Sequence, residues 1–465
     1  MRDGTQKQKR SLTRLDVLGL VIGSIIGWGS FTLPGEQFLR QSGVINTSLG
    51  LLLGGFLMCF IQTAYHRMLT VHRDEGGEFT YTLNELGKGH GFIVGWSLTL
   101  AYLSMISLNA NAYLRLLQII LGEKINWVYL YTVSGHEVYL SHVIVMSLVI
   151  VIFAAVNIKG LKTSFYLQNL VSTLLVLFVL ILLFVIGIRS DMSVFRANYV
   201  DTATISFPQI ATVVAIVPFL FVGFDVIPQV ASELNFKANR ATFLVIISLF
   251  VGVFIYAALN LIAAFSFGPE AAFNDPWAVA SSVLNKTGYL GFGIMLVALW
   301  AAISGGINGF MIASSKVVSA LSREGFLPER FAATNKQQNH HYAIVFVSAI
   351  SLLAPWLGRA LILYIVDLSS VLAAVAYGYV AYVALKRAKR WSKKIIYGLA
   401  LLISLFFIVL LLSPGSPSQL DAFSYYFLVV WLGAGALVYW QSERKRSSCQ
   451  NNTAPQVDKS NTWRK

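Results

Sequence analysis

Two short stretches of this chain combine residue types that do not suit an uninterrupted apolar helix. The first is Gly27-Trp28-Gly29-Ser30, followed by Pro34-Gly35. The second is Val217-Pro218-Phe219-Leu220-Phe221-Val222-Gly223-Phe224-Asp225-Val226-Ile227-Pro228, which holds two prolines, a glycine and a carboxylate. Proline removes a backbone donor, and glycine weakens a helix. Where such residues crowd a membrane-length segment, backbone N–H and C=O groups lose their partners, and lipid supplies no others. The freed groups must then line a cavity inside the protein. Unwound N–H groups suit a carboxylate and unwound carbonyls suit an ammonium. A small amphoteric solute such as an amino acid matches both ends. A plain proline kink remains the competing reading of the second stretch.

Asp225 is the residue in these stretches most able to carry a charge through a cycle. A carboxylate within a span costs about 2.5–3.5 kcal/mol on insertion scales, so its presence calls for a partner or a task. Two roles are open: exchange of a proton or an amine during transport, or capping of the helical turn that follows. Asp367 lies near the outer end of a later span, where it is expected to reach water. Asn109, Asn111, Asn260 and Asn308 are expected to hydrogen-bond between helices. Glu233 is expected to act as an ion-pair or gate residue. His340 and His341 are adjacent in a loop and are expected to be solvated.

The elements that must position these residues follow from composition. The chain has 465 residues, of which 56% are hydrophobic and 12% charged, with a mean hydropathy of +0.67. A soluble domain carries roughly 25% charged residues, and this chain has too few polar residues to cover a core of its size in water. A bilayer is the solvent that fits. A membrane helix needs roughly 20 apolar residues. Runs without Asp, Glu, Lys or Arg occupy 17–35, 41–66, 91–114, 138–158, 163–188, 202–224, 241–269, 287–315, 342–358, 368–385, 395–420 and 422–442. They predict twelve transmembrane helices, the tenth starting near Leu361 and the sixth continuing past Asp225. The stretch 67–90 holds Gly76-Gly77, Phe79 and Tyr81 and reads as a turn feeding an amphipathic segment.

The net charge of +14 suggests nucleic acid at first sight. The basic residues instead sit in patches between apolar runs, so no nucleic-acid partner is expected. Arg40, Arg115, Lys124, Arg189, Arg196, Lys286 and Arg359 fall on one side, and the remaining 28 of the 35 basic residues on the other. By the positive-inside rule both termini face the cytoplasm. The absence of a signal peptide and the short loops suit a bacterial inner (plasma) membrane. Cys59 and Cys449 make neither a disulfide framework nor a metal site, and no cofactor is expected.

Competing classes can be weighed. An enzyme requires a nucleophile–base pair or metal ligands on facing spans, and no HExxH or GxSxG occurs there, so the expectation is not an enzyme. A channel requires repeated pore-lining polar residues, which are absent; a transporter-like sensor shares the scaffold. The two interrupted spans lie five helices apart, an odd offset that inverts one half relative to the other. Paired interruptions of this kind point to a midplane binding site in a secondary transporter.

At these residues the chain resembles the amino acid–polyamine–organocation superfamily over roughly 12–440. GSIIGWGSFTLPG at 23–35 resembles the family's helix 1 signature. DEGGEFTYTLNELGKGHGFIVGW at 74–96 resembles its GG-x-Y loop and G-F-x-x-G-W. NIKGLK at 157–162 and SALSREGFLPERF at 319–331 resemble the entry to helix 5 and the loop after helix 8. The resemblance implies an all-α integral membrane fold, a LeuT-like five-plus-five inverted repeat with helices 1 and 6 broken and two peripheral helices. Residues 1–14 would be a basic cytoplasmic tail, 15–390 the ten-helix transport core, 393–441 the peripheral helices and 442–465 a disordered cytoplasmic tail. It implies alternating-access transport of amino acids, with amine or polyamine exchange as the alternative. The implied substrate-binding residues are Gly27, Trp28, Gly29, Ser30, Phe219, Phe221, Gly223, Phe224, Asp225 and Phe310. Gly27, Trp28 and Gly29 would meet the substrate carboxylate through backbone N–H. Phe219 and Phe221 would occlude it. Phe310 and Asp225 stand where the arginine–agmatine antiporters of the family carry an aromatic and an acidic residue. Trp28 departs from the family's usual Ser; its indole would narrow the pocket, stack on a cation or pack between helices. Some relatives carry a lysine in helix 5 in place of sodium. Here Gln168–Ile188 has none, with Ser172 and Thr173 in that region, which leaves H+ coupling, Na+ coupling, exchange and facilitated diffusion all open.

Overall fold

The computed structural model describes residues 12–453 except 202, 276, 336–338 and 417–418. Helices dominate, in the order α1 (Arg14–Ile25), α2 (Gly29–Leu33), a π-helical turn Pro34–Phe38, α3 (Leu39–Gln41), α4 (Gly43–Val71), α5 (Gly77–Leu86), α6 (Lys88–Leu121), α7 (Leu140–Lys159) and α8 (Leu161–Arg189). The chain continues through α9 (Met192–Tyr199), α10 (Phe207–Ala215), α11 (Val217–Leu220), α12 (Val226–Gln229), α13 (Ala238–Ala264), α14 (Pro269–Phe273) and α15 (Ala278–Arg323). It ends with α16 (His341–Ser351), α17 (Ala354–Lys386), α18 (Trp391–Leu412) and α19 (Ala422–Thr453).

Among the described residues, nine helices are long and apolar enough to cross a membrane, and ten if α1 and the segment Gly29–Gln41, bent by 48°, count as one span. The remaining apolar runs do not form whole helices. The sixth is divided into α10, α11 and α12, and the ninth contributes the eleven residues of α16. The chain is therefore a helical, multi-pass membrane protein. Lipid-facing surfaces carry large apolar side chains, including Phe56, Leu148, Phe184 and Leu402, as a hydrocarbon solvent permits.

Three features depart from the expected pattern. A β-hairpin, β1 (Tyr129–Val133) and β2 (His136–Tyr139), interrupts the all-α reading. Ser134 and Gly135 both take positive φ at its turn, as a two-residue hairpin requires. The α5 segment does not lie on the surface as an amphipathic helix: it buries Glu78, Phe79, Tyr81 and Thr82 within the protein. Helix α19 continues to Thr453, past the expected start of a disordered tail at 442; residues 454–465 and most of the basic N-terminal tail lie outside the described residues.

The start of the described chain is tied to the end of the sixth segment. Leu12 pairs in parallel with Leu234, and its N–H donates to the Glu233 carbonyl at 3.0 Å. Thr13 and Asp16 then form a reciprocal cap that starts α1. Asp16 also accepts from Asn169 of α8 at 2.7 Å. These contacts fix α1 before it reaches its break.

Candidate binding site between the broken helices

Helix α1 stops at Ile25, and Ile26 is extended (φ −106°, ψ 97°). Among the described residues, no backbone acceptor pairs with the N–H groups of Gly27, Trp28 or Gly29. The carbonyls at the break fare differently. Gly27 C=O accepts from Ser30 N–H at 3.2 Å and from Ser30 Oγ at 2.8 Å. Ser30 is fully buried, so it stabilises the break from behind. Tyr256 of α13 donates to the Ile25 carbonyl at 3.3 Å. The break thus presents unpaired donors while its carbonyls are largely satisfied.

The sixth segment breaks beside it. Gly223 has φ +112°, and a Cβ there would meet Ser24 Cβ at 2.7 Å and Ser24 backbone at 3.0 Å. Only glycine allows both the conformation and the approach. A Cβ on Gly29 would lie 3.6 Å from Phe219 of α11, so the two segments run side by side at their breaks. This excludes a simple proline kink, because α11 and α12 are separated by the non-helical residues 221–225.

Above the breaks, on the side away from the N-terminus, lies a cavity of about 300 Å³. Its lining includes Trp28, Gly29, Leu108 and Phe219 with the polar Glu36 and Arg359. Trp28 both lines this cavity and packs edge-on against Trp277, with ring centroids 5.4 Å apart. Arg115 covers the other face of that pair, 5.2 Å from the Trp277 ring. Two of the open roles for Trp28, narrowing the cavity and packing between helices, therefore coexist.

The other implied site residues sit below the cavity and close it. Asp225 occupies the N-cap position of α12 but makes no capping bond there. Its carboxylate instead accepts from Tyr102 O–H at 2.8 Å and turns back to Gly223 N–H at 2.9 Å. Gln229 donates to Tyr102 at 3.4 Å and also to Glu78. Phe224 packs at 5.1 Å against both Tyr65 and Tyr377, and Phe310 lies 5.9 Å from Tyr102. All of these side chains are buried. Phe221 points elsewhere, toward Tyr256 and Gly252 of α13, and does not line the cavity.

A second layer lies nearer the N-terminal side. Lys316 of α15 places Nζ 2.6 Å from both Glu75 and Glu233. His340 approaches Glu75 at 3.1 Å, and Arg323 pairs with the same carboxylate. Burial pushes the Glu75 carboxyl up, but Lys316, His340 and Arg323 outweigh it and hold the group well below the usual carboxylate range. His340 was expected to be solvated; it is buried in this cluster because the loop after α15 folds back onto Glu75.

Helix α8 braces the break from the side. Gln168 Nε2 donates to the carbonyls of Gly19 (3.3 Å) and Gly305 (3.2 Å), and Ser172 donates to Gly19 at 2.7 Å. Asn308 donates to Gln168 at 2.7 Å, and Asn260 reaches the Gly43 carbonyl at 3.5 Å, both between helices as expected. Asn109 differs. Its Nδ2 bonds its own helix at Met105, and its Oδ1 is buried without a partner among the described residues. That oxygen is the atom closest to where a Cβ on Gly27 would stand, at 3.2 Å. Tyr102, Gln229, Glu75, Lys316 and Asn109 all escape a reading of single spans. The available signals were an amide and a tyrosine within one apolar run, and a lysine just past the end of the run 287–315.

The profile of the amino acid permease family matches residues 12–434. The branched-chain amino acid permease BcaP of Lactococcus lactis is 24% identical over 75% of this chain and 77% of its own length. The Bacillus subtilis protein of the same name is 25% identical over 96% of this chain and 95% of its own. The arginine/agmatine antiporter of Chlamydia pneumoniae is 22% identical over 90% and 91%. With the family profile spanning nearly the whole chain, this protein belongs to the amino acid permease family of the amino acid–polyamine–organocation superfamily.

Proposed function

We propose that the protein is a secondary active transporter of amino acids that works by alternating access, with the solute held between the two unwound segments. The observation that carries this reading is the meeting of two broken segments, Gly223 against Ser24 and Phe219 against Gly29, at the base of a cavity closed on one side. The free N–H groups of Gly27, Trp28 and Gly29 suit an α-carboxylate. Asn109 Oδ1, an unpaired acceptor beside Gly27, suits the α-ammonium.

In this reading the divided sixth segment and α16 supply the two remaining spans, giving twelve with a five-plus-five repeat. Both termini face the cytoplasm of a cell whose inner or plasma membrane holds the protein. The conformation described then faces outward. The Tyr102–Asp225–Gln229 layer and the Glu75–Lys316–Glu233 cluster close the cytoplasmic side, and both must open for release. Asp225, which accepts from Tyr102 of α6 in the closed layer, is the coupling candidate for H+. Amine or polyamine exchange uses the same cavity and loses only the carboxylate contact.

The test is uptake of a labelled amino acid panel into proteoliposomes, with and without preloaded solute. Saturable uptake or counterflow of at least one amino acid is expected. With a pH gradient imposed, Asp225→Asn should abolish the gradient-driven component. A panel on which no amino acid moves, by uptake or exchange, contradicts the transport reading.

A further inference from the structure

We infer that Asp367 of α17 recognises a cationic group on the transported solute, so that the preferred substrates are amino acids with a basic side chain. This inference rests on the transport reading above and names the substrate class of the same cavity. Asp367 lines the cavity together with Trp28, Gly29 and Phe219. It is exposed, while its chain neighbours Val366 and Leu368 are buried. It lies nine residues beyond the kink at Gly358, about 13 Å along the helix at 1.5 Å per residue. Its exposure therefore comes through the cavity.

Charge balance makes this carboxylate unusual. Among the described residues, no cation lies within ion-pairing distance of Asp367. Arg359, the cation that lines the same cavity, faces Glu36 at 3.9 Å. The cavity thus holds one loose ion pair, Arg359 with Glu36, and the carboxylate of Asp367 with no cation in pairing distance among the described residues. A carboxylate left without a counterion inside a membrane span is costly, and such groups mark solute paths.

The positions of the other groups give the solute its orientation. The break in the first segment holds the free N–H groups, and Asn109 holds the free carbonyl oxygen. Leu108, Ala215, Ile216 and Val366 supply apolar wall within the same cavity. A basic amino acid matches the set: carboxylate and α-ammonium at the break, a methylene chain along the apolar wall and a cationic end at Asp367. A cavity of about 300 Å³ is at the small end for ligand sites and suits one amino acid rather than a peptide.

The experiment compares counterflow of labelled lysine, arginine and leucine by the wild type, Asp367→Asn and Asp367→Glu in proteoliposomes. The wild type is expected to favour the basic amino acids over leucine by at least about tenfold in kcat/KM, since a site built to pair a charge rejects a ligand lacking it. Asp367→Asn should erase that preference by lowering lysine and arginine counterflow at least about tenfold relative to leucine, and Asp367→Glu should restore most of it. A single monodisperse peak and a wild-type melting temperature in detergent report that both variants fold. Wild-type transport of leucine equal to or faster than lysine overturns the inference and leaves the transport reading standing. So does an equal loss of all three substrates in Asp367→Asn with no recovery in Asp367→Glu. Failure of every amino acid in the wild type overturns both.

Discussion

At the scale of single residues, the site depends on glycine where the backbone must approach itself. Gly223 combines φ +112° with a Cβ position 2.7 Å from Ser24. Gly223→Ala should cost about 1–3 kcal/mol in stability from the strained backbone alone. It should lower transport further by pushing the two unwound segments apart. Thermal unfolding in detergent and uptake by the same preparation check both effects. A variant with wild-type melting and wild-type uptake contradicts the close packing of the breaks. This part of the site was legible in the sequence because Gly, Pro and Asp are conspicuous within apolar runs. The fate of each side chain was not. Ser30 turns to Gly27 C=O, Phe221 turns to α13 and Asp225 leaves the capping role unfilled. Residue type announces a break, but rotamers and neighbours decide which groups remain free.

At the scale of elements, the closure on the N-terminal side is built from segments far apart in the chain. Lys316 and Glu75 are separated by 241 positions, so no reading of a single span could pair them. Glu75 just before α5, Glu233 just after α12 and Lys316 near the end of α15 become a cluster only when these elements pack together. Removing the shared cation leaves Glu75 and Glu233 buried and facing each other. Breaking a buried pair costs about 3–5 kcal/mol, so Lys316→Met should open this side. Thr82, fully buried on α5, provides the reporter. Thr82→Cys in a background lacking Cys59 and Cys449 should react with a thiol reagent added from the N-terminal side at least about tenfold faster once Lys316 is replaced, since 1.4 kcal/mol already gives that factor. Equal labelling rates contradict the cluster's role in closure. The sign of the pH effect follows from Glu75. A carboxyl held below its unfolded value stabilises at all pH above that value and loses the contribution only as pH falls through the depressed one. Glu75 therefore keeps the cluster closed across the neutral and mildly acidic range.

At the scale of the whole molecule, the apolar runs gave the helical membrane character and the approximate order of spans. They did not give the pattern found among the described residues, nine helices of bilayer length, a first segment bent by 48° at its break and a sixth segment divided into short helices, because hydropathy registers the composition of a segment and not its hydrogen bonding. The hairpin at 129–139 was legible in principle: Ser134-Gly135 lies between aromatic and β-branched residues. A search for bilayer-length runs passes over so short an element. The fold as a whole leaves one face of the broken segments open to a cavity and the other sealed by two polar layers. In the alternating-access reading proposed above, that asymmetry is a state open to one side of the membrane.

The account's central claim, that the break in the first segment holds the solute, has a direct measurement. Gly29 faces the cavity, and a Cβ there makes only ordinary contacts with Leu33 and Phe219, at 3.5 and 3.6 Å. In a chain with Cys59 and Cys449 replaced, Gly29→Cys can be labelled with a membrane-impermeant thiol reagent applied from the side away from the N-terminus. The account predicts labelling, loss of transport on labelling, and protection by whichever amino acid the protein carries. A cysteine that labels without protection by that amino acid, in a protein that still transports it, contradicts the claim.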